Sequence, residues 1–217
     1  FGMAIMSTSQ MNTPLSFLSA KASIGKASLV GFGDLLDLEL NDIEVNINTS
    51  SVPGLPPVAF SMPYADLSKS PINVATGKEI DGIDQTIALD FDEEIIQAKI
   101  GFAQGIVAGA LQVSGSLAFT KRGSETVTLK DGSTEQVMSL ALGGSDIYGF
   151  IGVSPDGNYW EDSNNDGFID NNDSPNSGVG FAVENLDLGV VFMRGSELTD
   201  PTIYTAAKVT LDSVGLV

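Results

Sequence analysis

Residues 162–173 read DSNNDGFIDNND, and the spacing of their oxygen-bearing side chains is the first feature of this sequence that could do chemistry. Asp162, Asn164 and Asp166 alternate along the run, Gly167 follows, and Asp170 and Asp173 close it. A hard cation takes about six to eight oxygens, and alternate side chains on a tightly wound loop converge on one point. Gly167 permits the sharp turn, and the carbonyl of Phe168 supplies the next oxygen. Asp170 acts directly or through a water, and Asp173 completes the shell. The ion selected by this all-oxygen set is Ca2+, with Asp162, Asn164, Asp166, Phe168, Asp170 and Asp173 as its expected ligands. Ile169 is expected to turn inward as a small apolar anchor while the ring of Phe168 points away from the ion. The expected affinity is that of weak extracellular sites, roughly 0.1 to 1 mM.

Something must hold such a loop in shape. Its flanks, 154–161 and 174–180, are rich in Gly, Pro, Asn and Ser and do not read as helices, so the loop is expected to cap a β-hairpin. Over these twelve residues it resembles the loops of EF-hands and dockerin modules. It departs from the EF-hand pattern in ending on Asp173 where those loops carry glutamate, and in lacking flanking helices, so sensor-type helix opening is not expected. Tyr159 and Trp160 precede the loop. They suit either a sugar-stacking platform or a hydrophobic floor beneath it, and the floor is the reading favoured.

Other chemistry is poorly provided for. The chain has no histidine and no cysteine, so histidine-based nucleophilic catalysis, thiolate metal sites and disulfides are excluded. Asp90, Asp92, Glu93 and Glu94 read as a solvated rim rather than a glycosidase pair. Gly31-x-Gly33 reads as a turn, since the third glycine and following helix of a dinucleotide fingerprint are missing. No enzymatic activity is expected. With 28 acidic and 10 basic residues, a formal charge of -18 opposes nucleic acid and anionic membrane surfaces, while concentrating divalent cations. No signal peptide or membrane-spanning helix is evident. The most apolar stretch, 100–113, is interrupted by Gln104 and Gln112 and falls short of the roughly 20 apolar residues a span requires. It reads as a buried strand.

The elements that position the loop read as all-β. Two-residue alternation runs through 36–48, 86–92, 111–121, 126–142 and 186–194, the mark of strands with one buried face. In 111–121 the apolar residues Leu111, Val113, Leu117 and Phe119 are expected to face the core. Between Leu40 and Ile43 the apolar phase switches, which predicts a β-bulge at Asn41 or Asp42. Asp131-Gly132 predicts a hairpin turn, and Gly143-Gly144 is expected to end the strand that follows it. Helical periodicity competes only at 92–103. Prolines 53, 56, 57 and 63 mark an irregular connection, with the softest boundary at 49–84. The expected fold is an elongated antiparallel β-sandwich or a β-solenoid-like repeat carrying a calcium-loop hairpin.

Residues 1–30 align without gaps on 188–217, at an offset of 187 with eight identities: Gly2, Met6, Ser9, Pro14, Ala20, Lys21, Leu29 and Val30 match their counterparts. Unrelated segments would share about two. The chain therefore reads as one β repeat unit with a period of about 187 residues plus an overlap, both ends being interior points. The run 143–217, with its GGSDIYGFIGV and GVGFAVENLDLGVVFM strands, resembles repeat units of very large secreted bacterial surface proteins. That resemblance covers about a third of the chain and implies an extracellular scaffold, adhesive or sheath-forming, with neighbouring copies as partners. A polysaccharide- or lipid-binding module with an apolar β groove is the alternative. If the repeat is real, Val217 is followed in the parent protein by a segment resembling Gly31-Phe32-Gly33-Asp34, and reading the parent gene across that junction checks this.

Overall fold

A computed structural model describes residues 1–8, 14–29, 35–52, 55–60, 71–195 and 202–217. The chain is all-β and antiparallel. Strands β1 (Gly2–Ser7), β2 (Ser16–Leu29), β3 (Leu36–Ser50), β6 (Ile95–Val107), β7 (Leu111–Thr128), β8 (Thr134–Val153), β11 (Val179–Gly195) and β12 (Ile203–Thr210) follow one another across a single sheet, and β13 (Ser213–Leu216) also pairs with β11. Two small hairpins leave this path, β4 (Ile72–Ile80) with β5 (Ile83–Leu89), and β9 (Trp160–Glu161) with β10 (Ser174–Pro175). The path is a meander, each strand returning beside the one before it. Among the described residues no helix is long and apolar enough to cross a membrane.

The turns follow from residues that tolerate left-handed backbone. Asp81-Gly82 joins β4 to β5 at φ of 52° and 77°, and Ala108-Gly109 joins β6 to β7 at 50° and 62°. The second turn corrects the reading of 100–113 as one strand, because it is the tip of a hairpin. The expected turn at Asp131-Gly132 joins β7 to β8. There the hydroxyl and then the N–H of Ser133 donate to the Asp131 carboxylate, holding its pKa below the usual range. A carboxyl lowered in this way helps the fold above its unfolded pKa and loses that contribution as pH falls through the folded one. Residues 95–103 lie in β6, so the strand prevails over helix there. Gly31, Gly33, Pro53 and Pro63 lie outside the described residues.

Gly143 and Gly144 do not end a strand, because β8 runs through both to Val153. Both sit mid-sheet, and neighbours crowd Gly144, where a Cβ would meet Ile147 Cδ1 at 2.7 Å. Close by, the expected phase switch is present at Asp42, which adopts φ 53°, but β3 keeps its register with both β2 and β6 across it, so no extra residue is inserted there. This left-handed residue belongs to a row. Gly115, Asp146 and Asn185 adopt φ of 141°, 51° and 50° in β7, β8 and β11, and register shifts accompany them between Ile100 and Ala103, Ser114 and Ser116, and Val183 and Leu186. A line of bulges thus creases the sheet across its strands. Each bulge resets the side-chain alternation, so the apolar residues before and after it lie on one face.

That face is mainly apolar, with Lys121 and Arg194 as exceptions near its end. Paired residues share a face, and one row across six strands reads Leu36, Val107, Leu111, Ile151, Phe181, Leu216. The opposite face carries most of the polar residues, with Phe102, Tyr148 and Phe150 among them, and it is the one the chain covers with its own loops. Leu111, Val113 and Leu117 are 38%, 42% and 47% exposed, whereas Gln112 and Ser114 are 3% and 2% exposed. The expectation that the apolar residues of 111–121 face the core is corrected: the buried side of β7 is its polar side.

Buried amides explain how a polar face holds a cover. Asn48, fully buried, accepts from the Ser19 hydroxyl at 2.7 Å and donates to the carbonyls of Val58 and Glu93 at 3.0 and 2.9 Å. The proline-containing segment is tied to the sheet in this way, beside buried Phe60 and Leu89. The β4–β5 hairpin lies over β1, where a Cβ on Gly2 would meet Ile87 and Val74 at 3.1 to 3.3 Å. An Asn48→Ala variant leaves two carbonyls and a hydroxyl without their partner and is expected to lose about 1–3 kcal/mol, read as a lower midpoint in chemical denaturation with an unchanged slope.

Candidate metal centre

The 162–173 loop grows from the tip of the β9–β10 hairpin, where Trp160 pairs with Pro175 and Glu161 with Ser174. The expected hairpin setting is therefore present. Beneath it lies an aromatic floor. Phe150 and Tyr159 stack at 4.2 Å between centroids, and Trp160 meets Tyr159 and Tyr148 edge-on at 5.0 and 5.3 Å. With Ile169 and Ala182 they form one buried cluster. Tyr159 and Trp160 are thus the floor of the loop rather than an exposed platform, and Ile169 is the inward anchor.

The sheet grips this cap through Gln112, whose side-chain oxygen accepts from the N–H groups of Tyr159 and Trp160 at 3.0 and 3.3 Å. Ser154 does the same at the rim, its hydroxyl donating to the carbonyls of Asn158 and Ser177 at 2.6 and 3.2 Å. Close packing requires glycines where the rings lie on the strands. A Cβ on Gly152 would fall 2.7 Å from the Phe150 ring, and one on Gly178 would fall 2.9 Å from that of Tyr159. Burial pushes the Tyr148 hydroxyl above its ordinary pKa, with Asp170 and Asp146 adding to the effect. Burial raises that of Tyr159 too, with Glu184 contributing.

Within the loop, left-handed Asn165 and Gly167, at φ of 57° and 87°, wind the chain around its own side chains. Asp162 accepts from the N–H groups of Asp166 and Gly167 at 3.1 and 2.9 Å. Asn164 Oδ1 accepts from Asp166 N–H at 3.2 Å, and Asp166 accepts from Phe168 N–H at 2.8 Å. Asp170 accepts from Asn172 N–H at 2.7 Å. Asp173 spans the loop, accepting from Ser163 N–H and Asp170 N–H, both at 2.8 Å. Five of the six expected ligands are therefore held by loop donors.

Among the described residues no three acidic groups converge into a ready-made cage. The carboxylates are instead turned toward backbone N–H groups. Each carboxylate oxygen retains a second lone-pair direction, so these donors orient the ligands without exhausting them. The donor set, all oxygen and wound on a loop with a glycine at its bend, fits a hard cation. The ring of Phe168 lies elsewhere, as expected: it is seated edge-on against Phe102 at 4.6 Å, over the sheet.

Sequence reasoning missed Tyr148, Phe150, Phe102 and the clamp Gln112. The available signal was Gln112 and Ser114 in a strand whose partners carry aromatic residues at the paired positions, Phe150 and Tyr148. The acidic residues set aside as a rim are indeed on the surface, where Asp90 pairs with Lys21 and Glu93 with Arg122. In comparisons with protein-family models, curated proteins and solved structures, nothing matches this chain.

Calcium at about thirty times its Kd adds about 2 kcal/mol to a fold that alone binds it. Chelation is expected to lower the melting temperature accordingly, and Asp166→Ala to abolish the difference. A melt indifferent to chelator in the unaltered chain removes calcium from this loop.

Proposed function

We propose that this chain is a non-enzymatic structural repeat module of an extracellular fibre, sheath or adhesin, rigidified by calcium at the 162–173 loop, with neighbouring copies as its partners. One observation carries the reading. The hairpin at one edge of the sheet and the hairpin at the other have the same register at an offset of 187: Gly2 pairs with Lys21 as Gly189 pairs with Lys208, and the five following pairs agree down to Ser7 with Ser16 and Arg194 with Ile203. Two unrelated hairpins have no reason to match pair by pair. Unpaired edge strands are templates for another chain, and head-to-tail contacts that do not close produce filaments.

Two further features support the setting. A loop of roughly 0.1 to 1 mM affinity fills in a calcium-rich medium outside cells and stays largely empty at cytosolic levels. The charge of -18 keeps copies apart until specific pairing brings them together.

A second reading, a lipid-binding module, is favoured by the exposed apolar face. A depression of about 190 Å³ on it is lined by Leu38, Ala103, Val113, Leu117 and Ile147 among others. Exposed patches of this kind mark contact with another apolar surface. Electron micrographs of the native material are expected to show filaments with one axial repeat, and native mass spectrometry to show no retained lipid. Bound acyl lipid without filaments selects the second reading and sinks the first.

A further inference from the structure

We infer that the outer edge of β12 seats β3 of a second copy of this unit, in the register that β2 and β3 already share, so that successive units form one uninterrupted antiparallel sheet. This rests on the repeat-module reading and adds the joint itself.

Among the described residues each of the two equivalent hairpins is covered on one side, and the sides differ. The outer edge of β2 carries β3, with Ala20 opposite Ile47, Ala22 opposite Val45 and Ile24 opposite Ile43. The outer edge of β11 carries β8, with Val190 opposite Leu142 and Phe192 opposite Leu140. Each hairpin therefore displays what belongs on the open side of the other. Carried across the offset of 187, Ala207, Val209 and Leu211 face Ile47, Val45 and Ile43 of the next copy.

Three properties of β12 agree with this seat. Val209 and Leu211 are 57% and 43% exposed, and the joint gives them apolar partners of the same face. Lys208 is the counterpart of Lys21, which pairs with Asp90, so the joint brings it to Asp90 of the next copy. Register matters as well, since a slip of one residue would turn every apolar side chain of the added strand to the polar face. With the register kept, the apolar face and the capped polar face each continue unbroken through the joint. One period contributes six strands to the path, β2, β3, β6, β7, β8 and β11. At about 4.8 Å between strands the advance per unit is roughly 29 Å.

The test keeps the whole chain and extends it, adding a second copy of residues 31–217 directly after Val217. The longest dimension in small-angle X-ray scattering is expected to grow by roughly 29 Å. Hydrogen exchange needs no substitution: β12 amides that exchange fast in the one-unit chain are expected to slow by about a hundredfold or more once paired. Oxidation is expected to link Ala207→Cys to Ile47→Cys of the second copy, and not to Asn46→Cys, whose side chain lies on the opposite face. Unchanged β12 amides, or two units stacked through their apolar faces with no gain in length, overturn the joint while leaving a calcium-rigidified module in place. Absence of a second copy from the parent gene sinks the repeat reading instead, whatever the extended chain does.

Discussion

Every strand in a sheet has two rows of backbone donors and acceptors, and both rows must be paired. This constraint organises the molecule. From β2 to β11 each main-path strand is paired on both sides by its neighbours in the meander, so among the described residues the outer edges of β1 and β12 are the ones left without a strand. The hairpins at those edges share one register, and what is open on one is covered on the other.

A sheet of one layer must also decide what covers its faces. The usual arrangement buries the apolar face, but here the chain's own loops lie on the polar one. They are held by amides as well as by the aromatic cluster under the cap: Asn48 clamps 58 and 93, and Gln112 clamps 159 and 160. Burying such groups is tolerable because they are hydrogen-bonded. The apolar face, creased by its row of bulges, remains available to a surface supplied from outside the unit.

The acidic loop belongs to this covering layer. Its aromatic floor ties it to the sheet, so stiffness gained in the loop is passed to β7 and β8 through Gln112, Tyr148 and Phe150. Its carboxylates are already oriented by backbone N–H groups, which lowers the ordering cost a cation would otherwise meet.

Much was legible in the residues themselves because its causes are local. Alternation announced strands, the phase switch at Asn41-Asp42 announced a left-handed break in β3, and the donor spacing of 162–173 announced a wound loop on a hairpin. The eight identities between 1–30 and 188–217 were also readable, since identities at one offset need no coordinates. Which face is buried was not readable. Alternation separates two faces but does not say which one other parts of the chain will cover, and that depends on long-range bonds from Asn48 and Gln112. Nor could Gly143-Gly144 be told from a strand end, because mid-sheet glycine and turn glycine differ only in what lies beside them. The order of strands, and with it the identity of the two open edges, came from pairing between residues far apart in the chain, a cooperative outcome that no single segment encodes.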